Sequence, residues 1–260
     1  TGIGHLVAQG SFGGFGLQAR HKESSGGRFP RRRAAQAFAV TAPLPEAIDW
    51  RSFQGRDYTT GVHDQGTCGA CVAFATNAVL EARLKIKLQD PYHSVDLSEA
   101  HLFFCGGPND GCEAGWHPAE ALKFCRDNGV CAERDFPYAP SQLSCDQAKR
   151  NLQIALRVSK WRRAVASAER KRAIIDRGPV IAGMRIFADF GWYRSGVYRP
   201  TTADVVGLHA VAVMGYDDRK GCWLIKNSWG TSWGEGGWAR VGYGSCGIDT
   251  EFPFYDPFLV

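Results

Sequence analysis

Long apolar runs are missing from this 260-residue sequence. A membrane-spanning helix needs about eighteen to twenty apolar residues without charges, and no segment approaches that length. The first residues also lack the charged start and continuous apolar core of a secretory signal peptide. We therefore expect no membrane partner, and a soluble chain from which any export signal is already absent. An internal repeat is also absent.

An excess of charge is missing from most of the chain. Residues 1–43 carry six basic residues against one acid, so the whole formal charge of +5 lies there and the rest balances. This distribution argues against a nucleic-acid-binding body. The segment has eight glycines and little apolar periodicity, so it cannot form its own core. We predict a basic, glycine-rich extension over residues 1–43 and a folded domain over residues 44–260, with Arg31, Arg32 and Arg33 as a candidate site for an anionic ligand.

Paired zinc-ligand motifs are missing too. The single C-x₂-C pair, Cys68 with Cys71, has no second pair and no H-x₃₋₅-H element beside it, so no metal site is predicted. Nine cysteines are far more than a reduced cytosolic enzyme of this size carries. They indicate an oxidising compartment, whether secreted, periplasmic or a lysosome-like vacuole. The odd number leaves one thiol after complete pairing, and nucleophilic catalysis needs such a thiol.

Apolar periodicity places helices first and strands second. Helical spacing covers residues 71–87, 99–104, 118–125 and 167–175, with Ser98 as N-cap of the second segment. Strand patterns cover residues 180–184, 196–198, 209–215, 222–226 and 237–241. This segregation predicts an α+β protein of two lobes.

Cys71 and His209 are the candidates for chemistry. Cys71 is predicted to begin the first helix, and a helix N-terminus or a nearby imidazolium lowers the pKa of a thiol. His209 opens the apolar strand pattern HAVAVMGY, where a polar ring is costly unless it has a partner. Taken singly, each has a structural alternative, as a buried cysteine or a hydrogen-bonded core histidine.

Three sequence blocks resemble the active-site blocks of papain-like cysteine peptidases: QGTCGAC at 65–71, LHAV at 208–211 and IKNSWGTSWGEGGW at 225–238. The order agrees, with His209 138 residues and Asn227 156 residues after Cys71. The resemblance covers residues 44–260. It implies a helical lobe at about 57–160, an antiparallel β-barrel lobe at about 161–255, and an active site in the cleft between them.

The resemblance also implies a role for each catalytic residue. Cys71 would attack the scissile carbonyl and form a thioester acyl-enzyme, with His209 as general base and acid. Asn227 would orient the imidazole, and Gln65 would stabilise the oxyanion together with the Cys71 backbone N–H. The implied activity is peptide hydrolysis without a metal or organic cofactor.

An endopeptidase is favoured because only six residues separate Cys105 from Cys112, with no His-containing insertion that could block the cleft as in the family's exopeptidases. Two other functions are weighed: acyl transfer to an amine, and an inactive relative that serves as a binding module. The intact set of catalytic residue types argues against the second. Protein or peptide substrates and a monomeric state are expected.

The substrate-binding residues are likewise implied by the resemblance. Gly115 would pair with the substrate backbone, Trp229 would shield the Asn227–His209 contact, and Trp233 would line the leaving-group side. Glu251, five residues after Cys246, would close the pocket for the second residue on the acyl side of the cut. Such a pocket should accept Phe or Leu, and also Arg while Glu251 is ionised. Its other walls would be Trp116, Gly183, Leu208 and Ala210, a mostly apolar and roomy set.

Three positions depart from the family's usual residues. Val72 follows the nucleophile where an aromatic residue is usual, Leu208 precedes the histidine where Asp or Asn is common, and Ala114 replaces a glycine. Residues 1–43 do not resemble the longer helical pro-segment of family zymogens, but they are a candidate for restricting access to the cleft.

Eight cysteines remain for disulfides if Cys71 is free. The resemblance suggests two pairs, Cys68 with Cys112 and Cys105 with Cys145. The cysteines left over would pair as Cys125 with Cys131 and Cys222 with Cys246. Sequence alone does not fix this connectivity.

Overall fold

The computed structural model describes residues 43–108, 111–148 and 152–260. The predicted extension, with its candidate anion site and any gating role, therefore lies outside the described residues except for Pro43. The helices are α1 (Cys71–Leu88), α2 (Glu99–Gly106), α3 (Pro118–Asp127) and α4 (Ser167–Arg177). The strands are β1 (Ala47–Asp49), β2 (Val130–Cys131), β3 (Ile154–Leu156), β4 (Val158–Ala164), β5 (Val180–Phe187), β6 (Val197–Tyr198), β7 (Val205–Asp217), β8 (Cys222–Lys226), β9 (Trp238–Gly242) and β10 (Phe254–Leu259). The α+β class is confirmed.

Helix α1 is buried around almost its whole circumference. Burial extends beyond the predicted apolar face to Asn77, Glu81 and Arg83. A helix buried on all sides occupies the interior of a domain. The predicted N-cap of α2 is confirmed, since the Ser98 hydroxyl accepts a hydrogen bond from the His101 N–H at 2.8 Å. No helix in the described ranges is long and apolar enough to cross a membrane.

The second lobe is built on one sheet with the order β4-β10-β5-β7-β8-β9-β6, and β1 also pairs with β7. Its pairs are antiparallel apart from β6 with β9. Alternate residues of β5 and β7 point to opposite faces of this sheet. One face, including Ile181, Ala210 and Met214, packs with α1, α2 and α3 in an interlobe core. The other face forms a sheet core around Trp223 and Phe254.

Five short or charged strands escaped the sequence analysis: β1, β2, β3, β4 and β10. The strand β10 is held through Asp256, which is fully buried and contacts three arginines. Its carboxylate lies 2.8 Å from Arg83, 2.6 Å from Arg162 and 2.6 Å from Arg177. We call these four residues the Asp256 group. They join α1, β4, α4 and β10, so a charged side chain anchors the end of the chain inside the fold.

Two of the four predicted disulfides are present, Cys68–Cys112 and Cys105–Cys145. They fit an oxidising compartment. The other two predicted pairs are wrong, because all four thiols are buried and free: Cys125, Cys131, Cys222 and Cys246.

The wrong pairs fail because their members lie in different parts of the core. Cys125 packs in the interlobe core, whereas Cys131 lies in a separate cluster with Phe136. Cys222 precedes Trp223 on β8, so its side chain points to the face opposite Trp223. Cys246 packs on the same side as Trp223, in the sheet core.

Candidate active site

Cys71 is held at the first position of α1 by a tight turn. The Gly69 N–H donates to the Cys112 carbonyl at 2.9 Å, and the Cys68–Cys112 disulfide joins the same two segments. A Cβ atom at Gly69 would lie 2.7 Å from the Ala114 carbonyl oxygen. Only glycine fits this approach, so the sequence around Gly69 fixes where the helix begins.

The Cys71 thiol lies beside the backbone of the β7 strand. Burial raises its pKa to about 11, and the backbone amides of Ala210 and of the first turn of α1 lower it only in part. The predicted effect of the helix N-terminus is therefore present, but desolvation is larger. At neutral pH the thiolate must therefore form by transfer of the thiol proton to a neighbouring base. The sulfur contacts the backbone of Ala210, which directly follows His209 in the sequence.

Asn227 fixes which nitrogen of the neutral His209 ring carries the proton. The Asn227 Oδ1 atom lies 2.7 Å from His209 Nε2 and also accepts from the Ser228 backbone N–H at 2.9 Å. Because a backbone N–H can only donate, this atom is the amide oxygen, and Nε2 must carry the proton it donates. The neutral ring therefore has its lone pair on Nδ1, which is free of the proton and able to accept one.

Two tryptophans, Trp229 and Trp233, pack in succession next to His209. The Trp229 ring packs on the His209 ring with centroids 5.0 Å apart, and both side chains are buried. Trp233 packs edge-on against Trp229 at 5.2 Å and is only 3% exposed, with its indole N–H donating to Phe190. Trp229 therefore covers one face of the His209 ring. The burial of Trp233 gives it a packing role behind Trp229, with little surface for a leaving group.

Gln65 connects the two lobes at the active site. Its backbone N–H donates to the Ser228 carbonyl at 2.9 Å, and its side-chain oxygen accepts from the Ser228 hydroxyl at 2.6 Å. One side-chain N–H donates to the Cys68 carbonyl at 2.8 Å. The amide nitrogen has a second hydrogen. Cys71 N–H is likewise one of the first-turn donors that α1 itself cannot satisfy.

Gly183, Leu208 and Ala210 form one continuous patch on the sheet. Gly183 lies opposite Ala210 in the β5–β7 register, and Arg185 lies opposite Leu208. Directly opposed residues share a face, so Arg185 belongs to the same patch. Trp116 and Ala210 both pack in the interlobe core, which places Trp116 on the facing side of the cleft.

Glu251 and Phe252 lie next to this patch. A Cβ atom at Gly183 would lie 3.1 Å from the Phe252 ring, so this ring partly fills the room expected beside Gly183. The Glu251 carboxylate lies 2.6 Å from Arg185, and both side chains are about half exposed. Gly115 lies in the irregular segment before α3 and is partly buried.

A group of buried charges lies beneath the catalytic residues. A cavity of about 20 Å³ is lined by residues that include His63, Glu81, Glu99, Lys226 and Asn227. We call His63, Glu81, Glu99 and Lys226 the Glu81–Glu99 group. Burial raises the pKa of both glutamates. The charge of Glu99 raises the pKa of Glu81 further, and the charge of Glu133 does the same to Glu99. Burial lowers the pKa of Lys226, while Glu99, 3.7 Å from His63, raises the pKa of that histidine.

The sequence analysis missed three residues at this site. Ser228 contacts both Gln65 and Asn227. In the sequence it is one of several polar residues in the block at 225–238, and nothing there distinguishes it. Arg185 follows Gly183 by two positions, so strand alternation could have placed it on the pocket face. Phe252 directly follows Glu251, but only the folded loop shows its ring against Gly183.

Comparisons with known proteins agree with this geometry. Residues 44–255 match the model for papain family cysteine proteases. Cysteine proteinase 3 of Entamoeba histolytica is 35% identical over 228 residues, covering 83% of this chain and 70% of that protein. Cathepsin K of Gallus gallus is 34% identical over 239 residues, covering 86% and 69%.

Solved structures show the same relationship. Digestive procathepsin L2 from the larval midgut of Tenebrio molitor superposes with a TM-score of 0.74 at 28% identity, covering 85% of this chain and 70% of that one. Bromelain protease from Ananas comosus, in complex with the E64 inhibitor, gives a TM-score of 0.70 at 30% identity, covering 84% and 100%. The chain is a two-lobed cysteine-type endopeptidase that acts on peptide bonds, and it belongs to the papain family of cysteine proteases.

Proposed function

We propose that Cys71, His209, Asn227 and Gln65 carry out the hydrolysis. The observation that supports this most strongly is that Asn227 Oδ1 accepts two hydrogen bonds, from His209 Nε2 and from the Ser228 N–H. His209 Nδ1 is then the nitrogen that accepts the proton. The Cys71 proton moves to Nδ1 as sulfur attacks the scissile carbonyl, and His209 then protonates the departing amine. A water attacks the resulting thioester, gives its proton to His209, and releases the carboxylate while the thiol is restored.

The oxyanion of each tetrahedral intermediate would be held by two donors. One is the Cys71 backbone N–H at the start of α1, where the helix dipole also favours negative charge. The other is the second hydrogen of the Gln65 side-chain nitrogen, whose first hydrogen bonds Cys68. Because Ser228 holds the amide oxygen, the nitrogen is fixed in place before substrate arrives.

Two substitutions test the catalytic pair. Cys71→Ser and His209→Ala should each lower kcat/KM for a peptide substrate by at least about 10³-fold, because they remove the nucleophile or its base. Circular dichroism of both variants should match that of the wild type, and so should the unfolding midpoint of Cys71→Ser, whereas His209→Ala also removes a buried ring and should unfold somewhat earlier. Activity within about tenfold of wild type in either variant would contradict the assignment.

A thiol-directed label distinguishes an active site from an inert binding site. All five free thiols of the described residues are buried, and burial raises the pKa of Cys71 as it does that of Cys125, Cys222 and Cys246, so exposure does not single out one thiol. Cys71 differs because His209 is proposed as the base that takes its proton. The epoxide E64 should therefore label the native chain once, at Cys71, and should not label Cys71→Ser. Labelling at Cys71 without turnover of any peptide would support a binding module instead.

The pocket supports a preference for Phe or Leu as the second residue on the acyl side. Its proposed walls are apolar: Trp116, Gly183, Leu208, Ala210 and Phe252. Gly115 would pair with the substrate backbone beside them. Profiling a peptide library at this position tests the proposal, and equal cleavage of apolar and small polar residues would contradict it.

Three narrower proposals come from the sequence. The chain would act as a monomer, tested by light scattering of the Cys71→Ser variant. Its compartment would be secreted, periplasmic or a lysosome-like vacuole, which localisation of the tagged chain tests. The run at Arg31, Arg32 and Arg33 would bind an anionic ligand, and unchanged heparin binding after replacement of all three with Gln would contradict this.

A further inference from the structure

Arg185 is the one charged side chain that strand alternation places among the proposed apolar walls on β5 and β7. Gly183 and Arg185 lie two residues apart on β5, opposite Ala210 and Leu208. Residues two apart on a strand face the same side. The Arg185 side chain therefore leaves the strand on the pocket face, beside Leu208.

The partner of Arg185 comes from the loop that closes the pocket. Arg185 Nη2 lies 2.6 Å from Glu251 Oε2. The Arg185 backbone N–H donates to the Cys246 carbonyl at 2.8 Å, and the Glu251 backbone N–H donates to the Gly247 carbonyl at 2.9 Å. Both backbones are thus tied to the same Cys246–Gly247 turn. The two side chains are positioned for each other by the fold.

We propose that Arg185 is a specificity-determining residue, which occupies the Glu251 carboxylate and makes the pocket select uncharged side chains. This inference rests on the proposed pocket for the second acyl-side residue. It revises the sequence-based expectation that Glu251 would accept a substrate arginine, since that carboxylate already has a guanidinium partner.

The electrostatic reason is the charge balance of the pocket. Glu251 and Arg185 cancel, and the other proposed walls are apolar. A substrate arginine would have to displace Arg185 from Glu251 and would then lie close to a second guanidinium of the same sign. A Phe or Leu side chain meets neither cost. The pair is half exposed, with side chains 45% and 43% accessible, so its influence is moderate rather than absolute.

The test compares two matched fluorogenic peptides that differ only in Phe or Arg at this position. Arg185→Met keeps the length and apolar stem of the side chain and removes its charge. It should raise the Arg-to-Phe ratio of kcat/KM about fivefold. The double variant Arg185→Met with Glu251→Gln should lose that gain, because the gain depends on the released carboxylate.

Arg219→Met is the matched control. Arg219 also pairs with a glutamate, Glu46, and is more exposed than Arg185. Its removal lowers the net charge equally, but it should leave the Arg-to-Phe ratio unchanged. Arg185→Gln repeats the test with a polar side chain, so that one poorly folded variant does not decide the result.

Three outcomes would overturn the inference. They are an unchanged Arg-to-Phe ratio in both Arg185 variants, an equal fall for both peptides, and a gain that persists in the double variant. Failure of the proposed function looks different, since wild type would then cleave neither peptide in a manner that depends on Cys71. The two failures are therefore separable in one set of assays.

Discussion

Glu81 and Arg83 lie two residues apart on α1 and are both buried, yet they belong to two differently built groups of charged residues. Positions two apart on a helix point to different sides. On one side, Glu81 lies near a second carboxylate, Glu99, with Lys226 and His63 as its cations. On the other side, Arg83 meets Asp256, and two further arginines surround the same carboxylate.

The two groups shift their carboxylates in opposite directions. Burial alone would raise the pKa of Asp256. The hydrogen bond from Arg177, the charge of Arg83 and the hydrogen bond from Arg162 outweigh burial, so the pKa lies below its ordinary value. Burial also raises the pKa of Glu99, and there His63 only partly offsets the effect. Burial alone thus does not set the ionisation of an acid. The number and proximity of its cations decide it.

The largest expected effect comes from removing the shared carboxylate of the Asp256 group. Asp256→Asn should destabilise the fold by about 3–5 kcal/mol, because Arg83 would remain buried without its counter-charge. Guanidinium unfolding of the variant in a Cys71→Ser background, which prevents self-digestion, measures this. A loss below about 1 kcal/mol would show that the backbone carbonyls of Pro179 and Gly178, which accept hydrogen bonds from Arg83, are sufficient to stabilise its charge.

The next-largest expected effect is on the pH dependence of stability, which should differ between the Glu81–Glu99 group and the Asp256 group. A raised folded pKa, as for Glu99 and His63, contributes stability at low pH that is lost as the pH rises through it. A lowered pKa, as for Asp256, contributes stability that is lost only as the pH falls through it. Because burial raises the pKa of Glu81, in the same group as Glu99, to about 7, we expect maximal stability in the mildly acidic range and a decline toward pH 8.

Glu99→Gln checks the origin of that decline. It should stabilise the Cys71→Ser chain at pH 8 by on the order of 1 kcal/mol, since a neutral amide replaces a carboxylate that burial disfavours. Near pH 4.5 the change should be small. Glu113→Gln, at an exposed carboxylate, is the control and should not alter the profile. An unchanged decline in Glu99→Gln would place its origin elsewhere.

The smallest effect concerns the exposed edge of the Asp256 group. The Arg162 side chain is 50% exposed, whereas that of Arg83 is 3% exposed. Arg162→Met should therefore cost at most about 1 kcal/mol. Its unfolding midpoint, measured beside that of Arg83→Met, gives the ranking. Equal losses in the two variants would show that exposure does not grade the contribution of each arginine.

The long helices were predictable because each has a local signal. The segment from Cys71, which forms α1, is rich in apolar residues at helical spacing, and α2 is capped by the side chain of Ser98. The strands β4 and β10 were not predictable in the same way. VSKWRRA is mostly charged and polar, and β10 contains Asp256 and a proline. Their pairing depends on partners far away in the chain.

The sequence alone determined the family, the α+β class and the residue types of the site, because three spaced blocks carry that information. It also determined two disulfides, through the resemblance. Only the tertiary structure decided that four thiols stay free, that Arg185 pairs with Glu251, and that desolvation outweighs the helix terminus at Cys71. Each of these depends on distances between segments remote in sequence, and no local pattern encodes those distances.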